Sequence, residues 1–256
     1  MYTSWYNNNG NGVEKMARVK ADMIAQDIAT KIKHGIYAAG SFLPSENQLT
    51  ELYGASRATV RKALGELLDL GLIQKIKGKG SKVLRLDRYT FPLSGITSFA
   101  ELNRKLGMNA TTELLKFKEQ TKLPMNFERY FEEEKDLAGY EIERLRVIDG
   151  EPYVLDQDYV LSPPVTGLTP DIAAKSLYAY FEQDLQLDIS YATKEVNVIK
   201  VDQRIHDLLQ LDQELAVVVI SRNYLADTTE FQLTLSYHRP DRFRFVDFAR
   251  RQKLNF

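Results

Sequence analysis

The chain has 256 residues, 44% of them apolar, and a formal net charge of −1 at pH 7. That apolar share supports packed cores and argues against wholesale disorder, and the length suits one domain or two. The absence of cysteine excludes disulfides and thiolate chemistry and suits a cytoplasmic protein, and no apolar run approaches the ~20 residues that cross a bilayer.

Residues 1–17 open with an Asn- and Tyr-rich run without a basic start or apolar stretch, so they are expected to form a disordered tail rather than a signal peptide. Beyond them the charge divides unevenly. Residues 18–88 carry 13 Lys or Arg against 7 Asp or Glu, whereas residues 89–256 carry 20 against 27. A phosphate backbone responds to local cation density, not to the total.

Residues 22–34 predict a helix, because Ile24, Ile28 and Ile32 share one face and Gly35 follows. A second helix starts at Pro44-Ser45-Glu46, with Ser45 as cap and Gln48 completing a capping box, and ends at Gly54. Ser56 caps a third helix whose stripe is Val60, Ala63, Leu64, Leu67 and Leu68. Its first turns carry Arg57, Thr59, Arg61 and Lys62 beside that stripe. In a helix-turn-helix those turns meet base edges in the major groove, where the fork of an arginine matches guanine. The same pattern also fits an ordinary amphipathic helix with a solvated basic face.

The next segment favours the first reading. Leu72 to Lys77 reads as a strand, Gly78-Lys79-Gly80 as a tight turn, and Ser81 to Leu86 as the return strand, with five cations along the hairpin. Three helices followed by a basic Gly-Lys-Gly wing describe a winged helix over residues 18–86.

Leu43-Pro44-Ser45-Glu46, Ser56 to Leu64, Gly71-Leu72-Ile73 and Gly78 to Ser81 resemble the DNA-binding domain of the GntR family of transcriptional regulators. The resemblance implies that Arg57, Thr59, Arg61 and the wing glycines Gly78 and Gly80 contact operator DNA. Ser45, Lys62 and Lys79 complete the candidate set. Many members have Arg after Pro-Ser-Glu, where this chain has Asn47.

Residues 87–92 read as a linker stiffened by Pro92. Residues 93–256 then mix helical and strand periodicities. A helix on Phe99, Leu102 and Leu106 ends at Gly107, and Tyr140 to Ile148 and Tyr153 to Leu161 form a hairpin about Asp149-Gly150. A helix over Ser176 to Leu187, a strand over Tyr191 to Val201, a helix near Ile205 and strands at Leu215 to Tyr224 and Phe231 to His238 complete the order. The expected class is α+β, with a mostly antiparallel sheet behind the winged helix.

Arg144 and Arg146 lie two residues apart on a strand and share a face. Either an anion binds between them or carboxylates pair with them. Asp156 joins that face if the hairpin loop has three residues, but not if it has two. Ser176 lies at a helix start, where free N–H groups favour anions but where a plain cap serves equally well.

Ser98-Phe99, Arg144-x-Arg146, Gly150-Glu151-Pro152, Ser176-Leu177-Tyr178, Ile189-x-Tyr191-Ala192 and Asp241 to Phe245 resemble the UTRA effector domain of the HutC branch of that family. Phe91 to Gly95, Ile189 to Glu195 and Phe243 to Arg251 are more narrowly similar to the trehalose-operon repressors of Gram-positive bacteria. The resemblance implies trehalose 6-phosphate as effector, with Ser98 and Phe99 near the phosphate. It places Arg144, Arg146, Ser176 and Tyr178 in the pocket, and Asp156, Gln232 and His238 around the sugar. The expected protein is a homodimeric repressor, with sheet edges, Phe243 and Phe245 available for the interface. It needs operator DNA and the effector as partners and no cofactor, metal or membrane. The alternatives are a lyase-like enzyme, an architectural DNA binder, and a regulator of a different phosphorylated sugar. Three histidines and no metal-ligand cluster argue against the enzyme.

Overall fold

A computed structural model describes residues 9–84, 95–131 and 137–245, which fall into two compact units. The expected linker over 87–92 lies outside the described residues.

The first unit contains α1 (Asn9–Lys33), α2 (Glu46–Tyr53), α3 (Arg57–Asp69), β1 (Ile73–Ile76) and β2 (Gly80–Val83). The helix α1 starts at Asn9, not near 22, so residues 9–17 of the expected tail are helical. After Gly12 the run Val13-Glu14-Lys15-Met16-Ala17-Arg18 is mostly strong helix formers, which carry the helix backward. Ile24, Ile28 and Ile32 of α1 are buried, as are Val60, Ala63, Leu64 and Leu67 of α3. Each of these Ile, Leu and Val side chains contributes roughly 1.5–3 kcal/mol when fully buried. Tyr53 on α2 donates to Asp27 on α1 at 2.6 Å, and Lys31 donates to the same oxygen.

Ser45 and Gln48 form the anticipated capping box, and Ser56 caps α3 through the backbone N–H of Thr59. The wing strands β1 and β2 pair antiparallel from Ile73↔Val83 to Ile76↔Gly80. A two-stranded hairpin is marginal by itself. Here the segment before α2 extends it: Leu43 N–H donates to the Ser81 carbonyl, and Val83 N–H to the Ser41 carbonyl, both at 2.8 Å.

The second unit is built on a six-stranded antiparallel sheet in the order β3-β4-β5-β8-β7-β6. The strands are β3 (Ala110–Gln120), β4 (Gly139–Ile148), β5 (Glu151–Leu161), β6 (Ile189–Lys200), β7 (Leu215–Leu225) and β8 (Glu230–His238). Around them lie α4 (Phe99–Leu106), of which Arg104 to Leu106 group with the first unit, α5 (Met125–Glu128), α6 (Pro170–Ala173), α7 (Leu177–Ala179) and α8 (Gln203–Leu209). The α+β class is as expected. β3 is an addition, because no strand was expected between 107 and 140. The helix expected over Ser176 to Leu187 is instead α7 followed by a π-helical turn at Tyr180–Asp184.

Strand alternation divides the side chains between the faces. On one face Leu145, Leu155, Leu235 and Tyr237 pack with Phe127 of α5 and with Ile205 and Leu209 of α8. On the other, a smaller cluster of Ile142, Val160, Leu177, Phe181 and Phe231 closes one side of a polar centre. Phe181 meets Phe231 edge-on at 5.4 Å.

Candidate ligand site and nucleic-acid interface

The turn between β4 and β5 has two residues, Asp149 and Gly150, and pairs Ile148 with Glu151 and Val147 with Pro152. Continued unchanged, that register would put Asp156 on the face away from the arginines. Between Arg146 and Val147 the register shifts by one, with Tyr153 as the extra residue. Beyond this bulge Arg146 opposes Val154 and Arg144 opposes Asp156. Thus Asp156 reaches the arginine face despite the two-residue turn. Asp158 follows it there, and β8 adds Gln232, Thr234, Ser236 and His238 through the pairs Val160↔Gln232 to Val154↔His238.

Arg144 and Arg146 are only 5% and 4% exposed, so their charges need partners. Arg144 Nη2 donates to Asp158 Oδ2 at 2.7 Å, and Arg146 Nε donates to Asp156 Oδ2 at 2.8 Å. Thr112 on β3 accepts from Arg146 Nη1, and Ser236 donates to Asp156. Gln232 and Thr234 both donate to Asp158 Oδ1, and Asn223 donates to Gln232 Oε1 and to the Tyr178 hydroxyl. Burial opposes ionisation of Asp156, yet Arg146 and Arg144 hold its pKa below the usual carboxylate value. Burial and then Arg144 bring Arg146 down to about 10, which still leaves it charged at neutral pH. The face therefore holds two cations and two anions, hydrogen-bonded as the pairs Arg144–Asp158 and Arg146–Asp156 and coupled to one another by charge. One buried donor remains open: Arg144 Nε has no hydrogen-bond partner among the described residues.

The other expected ligand residues fall into two groups. Phe99 joins the arginine face, with the Arg146 guanidinium 4.8 Å from its ring centre. Gln232 and His238 are buried on the same face. Burial drives His238 down to about 4, so it is neutral at pH 7, and its ring lies 4.9 Å from that of Phe243. Burial, then the charge of Asp158, raises the Tyr178 phenol. By contrast, Ser98 and Ser176 already serve their own helices. The Ser98 hydroxyl accepts from Glu101 N–H at 3.1 Å and donates to the Glu101 carboxylate. The Ser176 hydroxyl caps Ala179 N–H at 3.3 Å. Sequence reading missed Asp158, Thr112, Asn223, Thr234 and Ser236. The signal for Asp158 was its i+2 spacing from Asp156.

In the first unit, Arg57, Arg61 and Lys62 are exposed along the start of α3. Arg61 Nε donates to Glu46 Oε2 at 2.8 Å, and Lys75 on β1 reaches the other oxygen at 3.3 Å, so Glu46 ties α2, α3 and the wing together. Arg61 and Lys75 pull the Glu46 carboxyl below its ordinary pKa, against a smaller contribution from burial. Thr59 does not share this exposed edge. It is 9% exposed, and its hydroxyl lies 2.8 Å from that of Ser56. Ser45 is at the exposed start of α2, engaged in its capping box. The wing tip needs glycine: Gly78 and Gly80 have φ of 77° and 104°, with exposed Lys79 between them.

Residues 20–83 match the family model described as bacterial regulatory proteins, gntR family, and residues 105–244 match that of the UTRA domain. The HTH-type transcriptional regulator TreR of Bacillus subtilis is 45% identical over 90% of this chain and 97% of its own length. The HTH-type transcriptional repressor NagR of the same organism is 26% identical over 89% of this chain and 93% of its own. The solved effector-binding domain of the Bacillus subtilis trehalose repressor superposes with a TM-score of 0.50 at 40% identity, covering 56% of this chain and 99% of that one. YydK of Bacillus subtilis, described as a possible transcriptional regulator, shares the fold at 22% identity and a TM-score of 0.65 over 90% of this chain and 99% of its own.

Proposed function

Because this chain belongs to the gntR family of bacterial regulatory proteins and carries a UTRA domain, we propose that it is a repressor of trehalose-utilisation genes released from its operator by trehalose 6-phosphate. In this reading a winged helix over 18–86 binds DNA as a homodimer, a linker spans 87–92, and an effector domain occupies 93–256. The protein acts in the cytoplasm and without catalysis.

The open Nε of Arg144 carries the reading of the ligand. A buried donor left without an acceptor costs ~1–3 kcal/mol, and a phosphate oxygen beside Arg144 and Arg146 removes that cost. The surrounding Asp156, Asp158, Gln232 and Asn223 supply acceptors and donors for sugar hydroxyls. Similarity to a protein described as a trehalose repressor supports the choice of sugar. On the DNA side, the exposed Arg57, Arg61 and Lys62 and the Lys79 wing tip form the basic edge a duplex requires.

Calorimetry with trehalose 6-phosphate and with trehalose tests the phosphate assignment. The paired substitution Arg144→Met with Asp158→Leu keeps the network charge-balanced, unlike removal of the arginines alone. The wild type should prefer the phosphate ester by about a hundredfold or more, as two charge-assisted contacts require, and the paired variant should lose that preference. Equal affinity for the two sugars at the arginine face contradicts the assignment.

A further inference from the structure

A cavity of about 520 Å³ opens on the opposite face of the sheet from Arg144 and Arg146. Glu143 and Gln157 oppose one another across β4 and β5, one residue out of phase with the Arg144↔Asp156 pair, so they point away from it. β8 contributes Tyr237, and the start of α8 contributes Asp202 and Arg204. Its size falls within the range of small-molecule sites, roughly 300–1,000 Å³.

The charges on its wall are already committed to one another. Arg204 forms a two-pronged ion pair with Glu143, whose Oε1 also accepts from Gln157 at 2.9 Å. Lys116 reaches Glu141 at 2.5 Å, and Gln120 holds the second Glu141 oxygen at 2.9 Å. One Asp202 oxygen caps α8 by accepting from Ile205 N–H at 2.8 Å. Two cations stand against three carboxylates in this wall, so no cation is left to hold an anion. Among the described residues of this wall, Asp202 is the carboxylate without a basic partner at hydrogen-bond distance, and one of its oxygens is spent on the helix cap.

What remains open is neutral. Tyr237 is 6% exposed, yet its hydroxyl has no hydrogen-bond partner among the described residues. Gln157 keeps its amide oxygen as an acceptor after donating to Glu143, and Asn126 adds a second amide. A buried ring with an unused hydroxyl, carboxamides and fixed carboxylates suits a ligand whose groups both donate and accept. The geometry points to a second small-molecule site here, for an uncharged polyhydroxylated ligand of the unphosphorylated-sugar class. The site is independent of the arginine face and of the reading given to it.

The experiment titrates the full-length protein with glucose, trehalose and sorbitol, followed by calorimetry and by the signals of labelled tyrosine in NMR. Tyr237→Phe removes only the unpaired hydroxyl and should leave the melting temperature unchanged. At least one of the three should bind saturably and shift the Tyr237 signal. Tyr237→Phe should weaken it by about tenfold, one hydrogen bond to a buried partner, and Gln157→Leu should do the same. Arg144→Met with Asp158→Leu should leave the binding intact. The proposal is overturned if none of the three binds, if Tyr237→Phe binds as the wild type does, or if binding vanishes only in the arginine-face variant. That last outcome would assign the free sugar to the arginine face and leave the phosphate assignment to its own test.

Discussion

His238 and Asp158 show how strongly single residues are constrained on the arginine face. His238 has its pKa pushed down to about 4 by burial, against an ordinary 6.5. The folded state therefore refuses a proton that the unfolded chain accepts. Stability is fully present above pH 6.5 and declines as pH falls towards 4, by about 3 kcal/mol in all. Glu230, raised by burial, acts in the opposite direction, so the wild type must be compared with a variant. His238→Gln should lose less stability than the wild type between pH 6.5 and 4 in chemical denaturation; parallel curves would show that His238 is charged when folded. Asp158→Ala should cost ~3–5 kcal/mol, because it leaves Arg144 buried without its partner. A loss below ~1 kcal/mol, the range of an exposed pair, would show that the network is solvated. Apart from a place in a pocket, which only the family resemblance implied, the arginines' shared face was legible from their spacing. Their aspartates were not, because a single bulged residue, Tyr153, decides which face the far half of β5 presents. Nothing in the local sequence marks that residue.

The elements proposed to carry DNA contacts were more readable, since caps and glycines mark their ends. Ser45, Gln48, Ser56 and Gly54 stand where the sequence places them. In the sheet unit the edge strand β3 escaped notice: its burial alternates from Ala110 to Lys116, but its residue types do not, since Leu114 and Leu115 are adjacent and no position is fully buried. The π-helical turn after α7 likewise breaks a periodicity that reads as one continuous helix. On α3 and the wing, two substitutions separate base reading from backbone attraction. Arg57→Ala should lose at least ~1 kcal/mol of operator affinity and relax discrimination between sequences. Lys79→Ala should weaken all sequences alike and flatten the salt dependence by about one contact. Filter binding at several salt concentrations measures both, and an Arg57→Ala protein that still discriminates normally would reverse the assigned orientation of α3. Arg61 differs from Arg57 in being held by Glu46, an exposed pair of little worth to stability. Its restraint matters for where the guanidinium sits rather than for folding.

For the whole molecule, release from an operator by an effector requires two units that fold around their own cores and are coupled through what joins them. Regulation needs only a coupling of ~1–3 kcal/mol between effector and operator, a five- to 150-fold change in affinity. The effector must bind the DNA-free arrangement better than the DNA-bound one, since a ligand with equal affinity for both shifts nothing. Chain connectivity supplies a route, because Ser98 and Phe99 follow closely on the segment expected to link the units. The most direct test is an operator titration of the full-length protein, alone, with trehalose 6-phosphate and with trehalose at the same concentration. Trehalose 6-phosphate should weaken operator binding by about five- to 150-fold and trehalose should leave it unchanged. An operator affinity that stays the same under saturating trehalose 6-phosphate, or that falls equally with the free sugar, would contradict the account.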